Sequence, residues 1–140
     1  MIVSEVAAAD TEAVLRFWVN CGFLESENDE PGRDLQSAME ADDATVLLGR
    51  IADEICATVM VDLEGRVGMV HYLGVDPSRR KQGLGRQMMD AAEHWVQDRG
   101  GRILQLLVDA DNLGALRFYE QLGLFRAPVI TMAKRLDGRT

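Results

Sequence analysis

Two glycines and four basic side chains between Arg79 and Arg86 form the segment of this sequence best suited to hold an anion. Gly83 and Gly85 come just before a stretch in which apolar residues recur at helical spacing. The first turn of a helix has amides without intrahelical partners and carries partial positive charge, and glycine lets an anion approach the backbone. Because the chain has 15 Lys and Arg against 23 Asp and Glu, this basic cluster stands out. The pattern predicts a site for a phosphate-bearing ligand.

Two familiar phosphate-binding motifs do not fit this segment. The P-loop motif needs Lys-Ser or Lys-Thr after its glycines, and this segment has neither. The dinucleotide-binding motif needs a third glycine where Met88 stands, and its glycines directly follow a strand. A glycine pair alone also fits a basic loop in solvent, so the choice between ligand site and loop depends on a second motif.

That second motif lies downstream. The run from Arg80 to Gly85 reads RxxGxG after an apolar strand, and it resembles the acetyl-CoA signature of the GNAT family of N-acetyltransferases. The run from Asn112 to Gly123 contains Phe-Tyr-Glu and resembles the family's other hallmark, an asparagine followed by a helix that ends in glycine. The resemblance covers about residues 46–136, and the layout is most similar to that of small bacterial YpeA-like acetyltransferases.

The resemblance implies acetyl-CoA as cosubstrate and no metal. Backbone amides near Leu73, Gly74 and Val75 would stabilise the oxyanion. Tyr119 would protonate the departing thiolate, with a core tyrosine as the structural alternative. Asn112 would contact the pantetheine arm, cap its helix, or do both. The implied cofactor-binding residues are Leu73, Gly74, Val75, Arg80, Lys81, Gln82, Gly83, Leu84, Gly85, Arg86, Asn112, Ala115 and Tyr119.

The proton acceptor for the amine departs from the family pattern. Many relatives have a glutamate at positions where this chain has Met69 and Leu107, and neither side chain accepts a proton. Strand alternation predicts that His71 shares a face with Met69 and Leu73, and an imidazole can accept a proton at neutral pH. His71 is therefore the candidate catalytic base, with a purely structural strand histidine as the alternative. Asp109 could also serve through a water molecule.

The order of predicted elements favours an α+β fold with three layers, α/β/α. The resemblance implies a mixed, largely antiparallel central sheet with helices on both faces, in one domain of residues 1–140. Turn signals at residues 53–54 and 64–65 predict an antiparallel meander of three consecutive strands. Helices are predicted around Val14, Leu35, Met88 and Phe118. The predicted strands are residues 1–6, 45–51, 55–63, 67–75, 103–108 and 129–134.

The composition limits the kinds of binding partner that the protein can have. A net charge of -8 argues against nucleic acid, which usually binds a broad basic face. The sequence has no apolar run of membrane-spanning length and no signal-peptide pattern, and its two cysteines have no disulfide or metal-ligand spacing. We therefore expect a cytoplasmic protein with reduced thiols and no membrane partner. The last predicted strand could pair within the chain or with a second subunit, so a homodimer is possible.

The resemblance implies that the loop and helix between Gly22 and Ala41 choose the acceptor, and this region is acidic and rich in turn residues. Its carboxylates could attract a cationic amine, although an acidic loop in solvent has the same composition. These residues are Glu25, Glu27, Asp29, Glu30 and Asp34. The predicted pocket aromatics are Phe23 and Tyr72, while Phe17 and Trp18 also fit a core.

Two functions fit the sequence. The first is an N-acetyltransferase that moves an acetyl group from acetyl-CoA to a primary amine, of a small molecule or a peptide, by direct attack in a ternary complex. The alternative is a non-catalytic acyl-CoA-binding or sensing module that keeps the anion site but has lost the base.

Overall fold

The computed structural model describes residues 1–23 and 29–139. Glu25 and Glu27 of the predicted acidic segment lie outside the described residues. The chain forms two compact units, one of residues 1–107 and one that begins at Val108. The strands are β1 (Ile2–Glu5), β2 (Ala44–Ile51), β3 (Glu54–Glu64), β4 (Val67–Val75) and β5 (Ile103–Gln105). The helices are α1 (Thr11–Asn20), α2 (Pro31–Glu40), α3 (Leu84–Asp98) and α4 (Leu113–Gln121).

The first unit is built on a mixed sheet. Its strand order is β1-β2-β3-β4-β5, in which the first four strands are antiparallel and β5 runs parallel to β4. Ala52 and Asp53 both have positive φ between β2 and β3, as the tightest hairpin turns require. Gly65 has positive φ between β3 and β4. The predicted α+β class and antiparallel meander are therefore confirmed.

Helices cover both faces of this sheet, as predicted. Trp18 of α1 and Leu35 of α2 are fully buried in one cluster with Leu48 of β2. The next residue, Gly49, points to the other face, where an added Cβ would lie 3.0 Å from the Met88 sulfur of α3. Consecutive strand positions thus pack against α1 and α2 on one side and against α3 on the other.

A β-bulge interrupts β4 and corrects one prediction. Met60 of β3 pairs with His71, but Thr58, two residues earlier, pairs with Gly74, three residues later. The extra residue is accommodated by Tyr72, whose φ is 50°. His71 therefore shares a face with Gly74, and the prediction that it shares a face with Leu73 is wrong.

Two predicted strands are also corrected. The strand expected over residues 103–108 ends at Gln105, because its ladder pairs only with Val67–Met69 of β4. Residues 129–134 form no strand in the part of the chain that the structure describes. Ile130 and Met132 there are 88% and 92% exposed. A strand forms only where a partner strand pairs its backbone groups. The apolar composition of these two runs does not show where a partner strand lies, so it did not predict either strand correctly.

Candidate active site

The start of α3 leaves a set of backbone donors open. Gly83 occupies the N-cap position with φ 79° and no side chain caps the helix. The Gln87 amide donates to the Gly83 carbonyl at 3.1 Å, so the amides of the three residues between them have no intrahelical acceptor. A Cβ added at Gly83 would meet nothing within 4 Å, so the space beside this residue is open. This geometry suits an anionic group.

The basic side chains before and within α3 divide into two kinds. The Arg79 guanidinium lies beside two carboxylates, with its nitrogens 3.9 Å from Glu54 Oε2 and 4.0 Å from Asp76 Oδ2. Hydrogen bonds from the Ser78 amide and hydroxyl hold the pKa of Asp76 below its usual value. The predicted binding residues Arg80, Lys81, Gln82, Gly83 and Arg86 are exposed, Gly85 is half-buried, and Leu84 is buried so that only its backbone is available. Three cations, rather than four, are therefore left for an anion.

The end of β4 presents backbone on one side. Its ladder with β5 ends at Met69, so Leu73, Gly74 and Val75 have no neighbouring strand there among the described residues of the first unit. Gly74 is buried, and a Cβ added to it would lie 3.0 Å from the Phe23 ring and 3.1 Å from the Cys21 sulfur. A free strand edge of this kind can pair with an extended amide-containing ligand.

A cavity of about 590 Å³ lies in the first unit on the face covered by α2. It combines aromatic and aliphatic walls with three carboxylates and one imidazole. Its lining residues are Phe23, Asp29, Asp34, Ser37, Ala38, Ala41, Ala44, Met60, Asp62, Val70, His71, Tyr72 and Leu107. The predicted base and the two predicted pocket aromatics are thus brought together, whereas Phe17 and Trp18 are buried in the core.

Two polar pairs shape this cavity. His71 Nε2 lies 3.3 Å from Asp62 Oδ2, and both side chains remain partly exposed. The Tyr72 hydroxyl donates to Asp34 Oδ2 at 2.7 Å. Burial, the hydrogen bond to Asp34 and the nearby negative charges raise the pKa of Tyr72 far above its usual value. The pairing orients the imidazole as a candidate proton acceptor, while Tyr72 stays protonated.

The second unit holds the other predicted site residues. Asn112 Oδ1 accepts a hydrogen bond from the Ala115 amide at 3.1 Å, so the side chain caps α4. Tyr119 lies on α4 with its ring edge-on to Phe118 at 5.1 Å. Burial raises the pKa of the Tyr119 hydroxyl. The structural role predicted for Asn112 is observed, and the cofactor roles of Asn112, Ala115 and Tyr119 stay predictions.

Neither cysteine has the surroundings of a nucleophile. Cys21 and Cys56 are free thiols, and burial raises the pKa of each. A raised pKa keeps the sulfur in its less reactive thiol form. The described residues contain no group of three or more His, Cys, Asp or Glu side chains placed to hold a metal ion. Among them, no helix has both the length and the apolar character needed to cross a membrane.

Sequence reasoning missed Asp62 and Thr58. The Glu64-Gly65 turn fixes the pairing of β3 with β4, which places Asp62 opposite Met69 and diagonal to His71. Asp62 could therefore have been predicted as a neighbour of His71. Thr58 gave no such signal, since its partner depends on the bulge in β4.

Solved structures with the same fold include several acetyltransferases. AAC(6')-Iy in complex with the bisubstrate analogue CoA-S-monomethyl-acetylneamine matches with a TM-score of 0.81 at 16% identity, over 96% of this chain and 97% of that one. The ribosomal-protein-S18-alanine N-acetyltransferase from Escherichia coli matches with a TM-score of 0.74 at 20% identity, over 87% and 76%. A tetramutant of the BH1408 protein from Bacillus halodurans matches with a TM-score of 0.75 at 25% identity, over 97% and 100%.

The sequence itself shows the family. The family model described as the acetyltransferase (GNAT) family matches residues 12–124, which is most of the chain. This match includes the RxxGxG run and the Asn112 helix on which the resemblance was based. The chain therefore belongs to the GNAT family of acetyltransferases and is an acyltransferase.

Proposed function

We propose that the protein transfers an acetyl group from acetyl-CoA to a cationic primary amine by direct attack in a ternary complex. One observation carries the donor half of this proposal. The bulged end of β4, with one edge free, leads through a short basic turn into the uncapped glycine start of α3. A ligand with an extended arm and an anionic group would place the arm along the edge of β4 and the anionic group at the start of α3. Acetyl-CoA has both parts.

The proposed donor contacts follow from the available groups. The exposed cations and open amides from Arg80 to Arg86 would bind the pyrophosphate. The free edge of β4 would accept the pantetheine amides as an added strand. Backbone amides near Leu73 would then stabilise the thioester oxygen as it becomes an oxyanion.

The chemical step needs three proton transfers, two from the nitrogen and one to the sulfur. His71, paired with Asp62, would accept the proton from the ammonium group so that the neutral amine nitrogen can attack the carbonyl carbon. The carbon–sulfur bond then breaks, and the thiolate takes the proton of the Tyr119 hydroxyl. The attacking nitrogen gives its second proton to the Tyr119 oxygen, which leaves the neutral amide and restores the hydroxyl. The Tyr119 hydroxyl, whose pKa is raised by burial, is protonated at neutral pH and so holds the proton that the thiolate needs.

The acceptor class is inferred from the cavity charge. Asp29, Asp34 and Asp62 face a space of about 590 Å³, which favours a positively charged amine. Among the solved structures of similar fold, one is an aminoglycoside acetyltransferase from an uncultured soil metagenomic sample and another is the ribosomal-protein-S18-alanine N-acetyltransferase from Escherichia coli. Both small-molecule and peptide amines therefore belong in the test.

Calorimetry with acetyl-CoA, followed by CoA release across a panel of small amines, aminoglycosides and peptides with a free N-terminus, tests the proposal. We expect binding and turnover on at least one cationic amine. Replacing Arg80 and Arg86 with serine should weaken binding, while replacing the exposed Arg102 should not. No binding would overturn the proposal, and binding with no turnover on the whole panel would favour the non-catalytic sensing module instead.

A further inference from the structure

A buried chain of hydrogen bonds ends at the bulge in β4. The Trp18 Nε1–H donates to Thr58 Oγ1 at 2.9 Å, and the Thr58 hydroxyl donates to the Tyr72 carbonyl at 3.2 Å. Trp18 and Thr58 are fully buried. Because the indole donor occupies an acceptor position of the hydroxyl oxygen, the hydroxyl proton is left to point at the carbonyl.

The bulge creates the need for this contact. Between the Thr58–Gly74 and Met60–His71 pairs, neither Tyr72 nor Leu73 has a partner residue in the β3 register. Tyr72 also has φ 50°, a conformation that is unfavourable for a bulky residue. A buried carbonyl that accepts no hydrogen bond costs free energy. The Thr58 hydroxyl on β3 donates a hydrogen bond to the Tyr72 carbonyl in place of a backbone amide.

The orientation of one peptide unit follows from this bond. A trans peptide is planar, so the carbonyl of Tyr72 and the amide of Leu73 point in opposite directions. The carbonyl is held toward Thr58 on β3, so the Leu73 amide points away from it. On the other side of β4, the ladder with β5 has already ended at Met69.

We propose that Thr58 is a positioning residue that aims the Leu73 amide at the carbonyl oxygen of the bound acetyl thioester. This inference rests on the proposed function. The Leu73 N–H donates to that oxygen, and the bond strengthens as the amine attacks the carbonyl carbon and charge collects on the oxygen. No proton leaves the amide, and the oxygen returns to a carbonyl when the carbon–sulfur bond breaks.

Thr58→Val removes the hydroxyl and keeps the shape of the side chain. The Tyr72 carbonyl then has no donor and its peptide unit is free to rotate, so the Leu73 amide loses its direction. Thr58→Ser keeps the hydroxyl and should behave as the wild type. Thr45→Val is the matched control, because Thr45 is also a buried strand threonine but makes no contact with Tyr72 among the described hydrogen bonds.

Isotope-edited infrared spectroscopy of [1-¹³C]acetyl-CoA, bound without any amine, reads the hydrogen bond to the thioester oxygen directly. We expect a lower carbonyl frequency than in solution for the wild type, Thr58→Ser and Thr45→Val, and loss of that lowering in Thr58→Val at an unchanged dissociation constant. On any accepted amine, kcat should fall on the order of 10²-fold, the loss typical of one oxyanion donor.

The outcomes separate the two proposals. No acetyl-CoA binding by the wild type overturns the proposed function and this inference with it. Binding with an unchanged frequency in Thr58→Val overturns the positioning role alone, and so does an equal effect of Thr45→Val or loss of acetyl-CoA binding in Thr58→Val. If Thr58→Val does not fold, Thr58→Ala, which adds no bulk, makes the same comparison.

Discussion

Tyr72 is held at its ring, its hydroxyl and its backbone. The ring stacks on Trp18 at 4.3 Å with 14° between the planes, and Phe23 meets it edge-on at 5.6 Å. The hydroxyl bonds to Asp34 and the carbonyl to Thr58. A residue in the left-handed region costs about 1–2 kcal/mol, so these contacts must offset the strain. One side chain therefore joins α1, α2 and the bulge of β4.

The two tyrosines of the chain should ionise at different pH values. The pKa of both is raised, but Tyr72 has a carboxylate partner in addition to burial. We expect the tyrosinate absorbance of Tyr119→Phe, in which only Tyr72 is left, to rise at higher pH than that of Tyr72→Phe. Adding Asp34→Asn to the Tyr119→Phe variant should lower the pH at which Tyr72 ionises, because the carboxylate partner is removed. Coincident titrations of the two single-tyrosine variants would contradict this assignment.

The same pKa shifts determine whether the free energy of unfolding rises or falls at alkaline pH. The folded-state pKa of each tyrosine lies above its ordinary value of about 10, so unfolded chains lose these protons first as the pH rises. The stability from this source is complete below about pH 10 and declines above it. Urea unfolding at several alkaline pH values should show a shallower decline for Tyr72→Phe than for the wild type, whereas an identical slope would contradict the shift.

Tyr119→Phe tests the proposed general acid. The variant keeps the ring and removes the only proton that the side chain can give. We expect kcat on an accepted amine to fall about 10²–10⁴-fold, the usual contribution of general acid catalysis. The dissociation constant of acetyl-CoA from calorimetry should stay unchanged. An unchanged kcat would remove Tyr119 from the mechanism.

At the scale of elements, most of the first unit could be predicted from its turns and periodicities. The turn residues between β2, β3 and β4 fixed the meander, and Leu84, Met88, Ala92 and Trp95 fixed the buried face of α3. The bulge could not be predicted, because it appears only when the registers of Thr58 and Met60 are compared. β5 was predicted too long because its apolar residues carry no information about where β4 stops pairing.

Two glycines in or next to helices give a paired test of backbone strain. Neither Gly32 in α2 nor Gly83 before α3 has an atom within 4 Å of an added Cβ, but only Gly83 has positive φ. Gly83→Ala should lower the free energy of unfolding by about 1–2 kcal/mol. Gly32→Ala should raise it by about 0.5 kcal/mol, because alanine favours a helix. Chemical denaturation measures both, and equal effects would contradict the left-handed cap.

At the scale of the whole molecule, charge and exposure point to different partners. The chain carries a net charge of -8, yet three exposed cations, Arg80, Lys81 and Arg86, lie in one short segment that would meet the donor. In the second unit, Val129, Ile130, Met132 and Leu136 are 76–92% exposed. Apolar side chains grouped in this way are typical of a surface that binds another protein.

We expect these apolar residues to support the homodimer that the sequence analysis left open. Light scattering should give twice the chain mass of 15.5 kDa at working concentration. Replacing Ile130 and Met132 with lysine should return the protein to the single-chain mass, because a charge is costly to bury in an apolar interface. Val19→Lys, at an exposed position on α1, is the control and should leave the mass unchanged. A single-chain mass for the wild type at all concentrations would rule out the dimer.

The bulge at Tyr72 also divides the proposed reaction along the sequence. Apart from Leu107, the cavity side chains proposed to meet the amine come from Tyr72 or earlier, and every residue proposed to meet acetyl-CoA comes after it. Substitutions of the cavity side chains between Asp29 and Val70 can therefore change which amine enters without altering the groups that hold the donor, provided that Thr58, which does not line the cavity, is kept. An exchange of this segment between relatives, joined at the bulge and with Thr58 kept, would transfer acceptor preference as a unit.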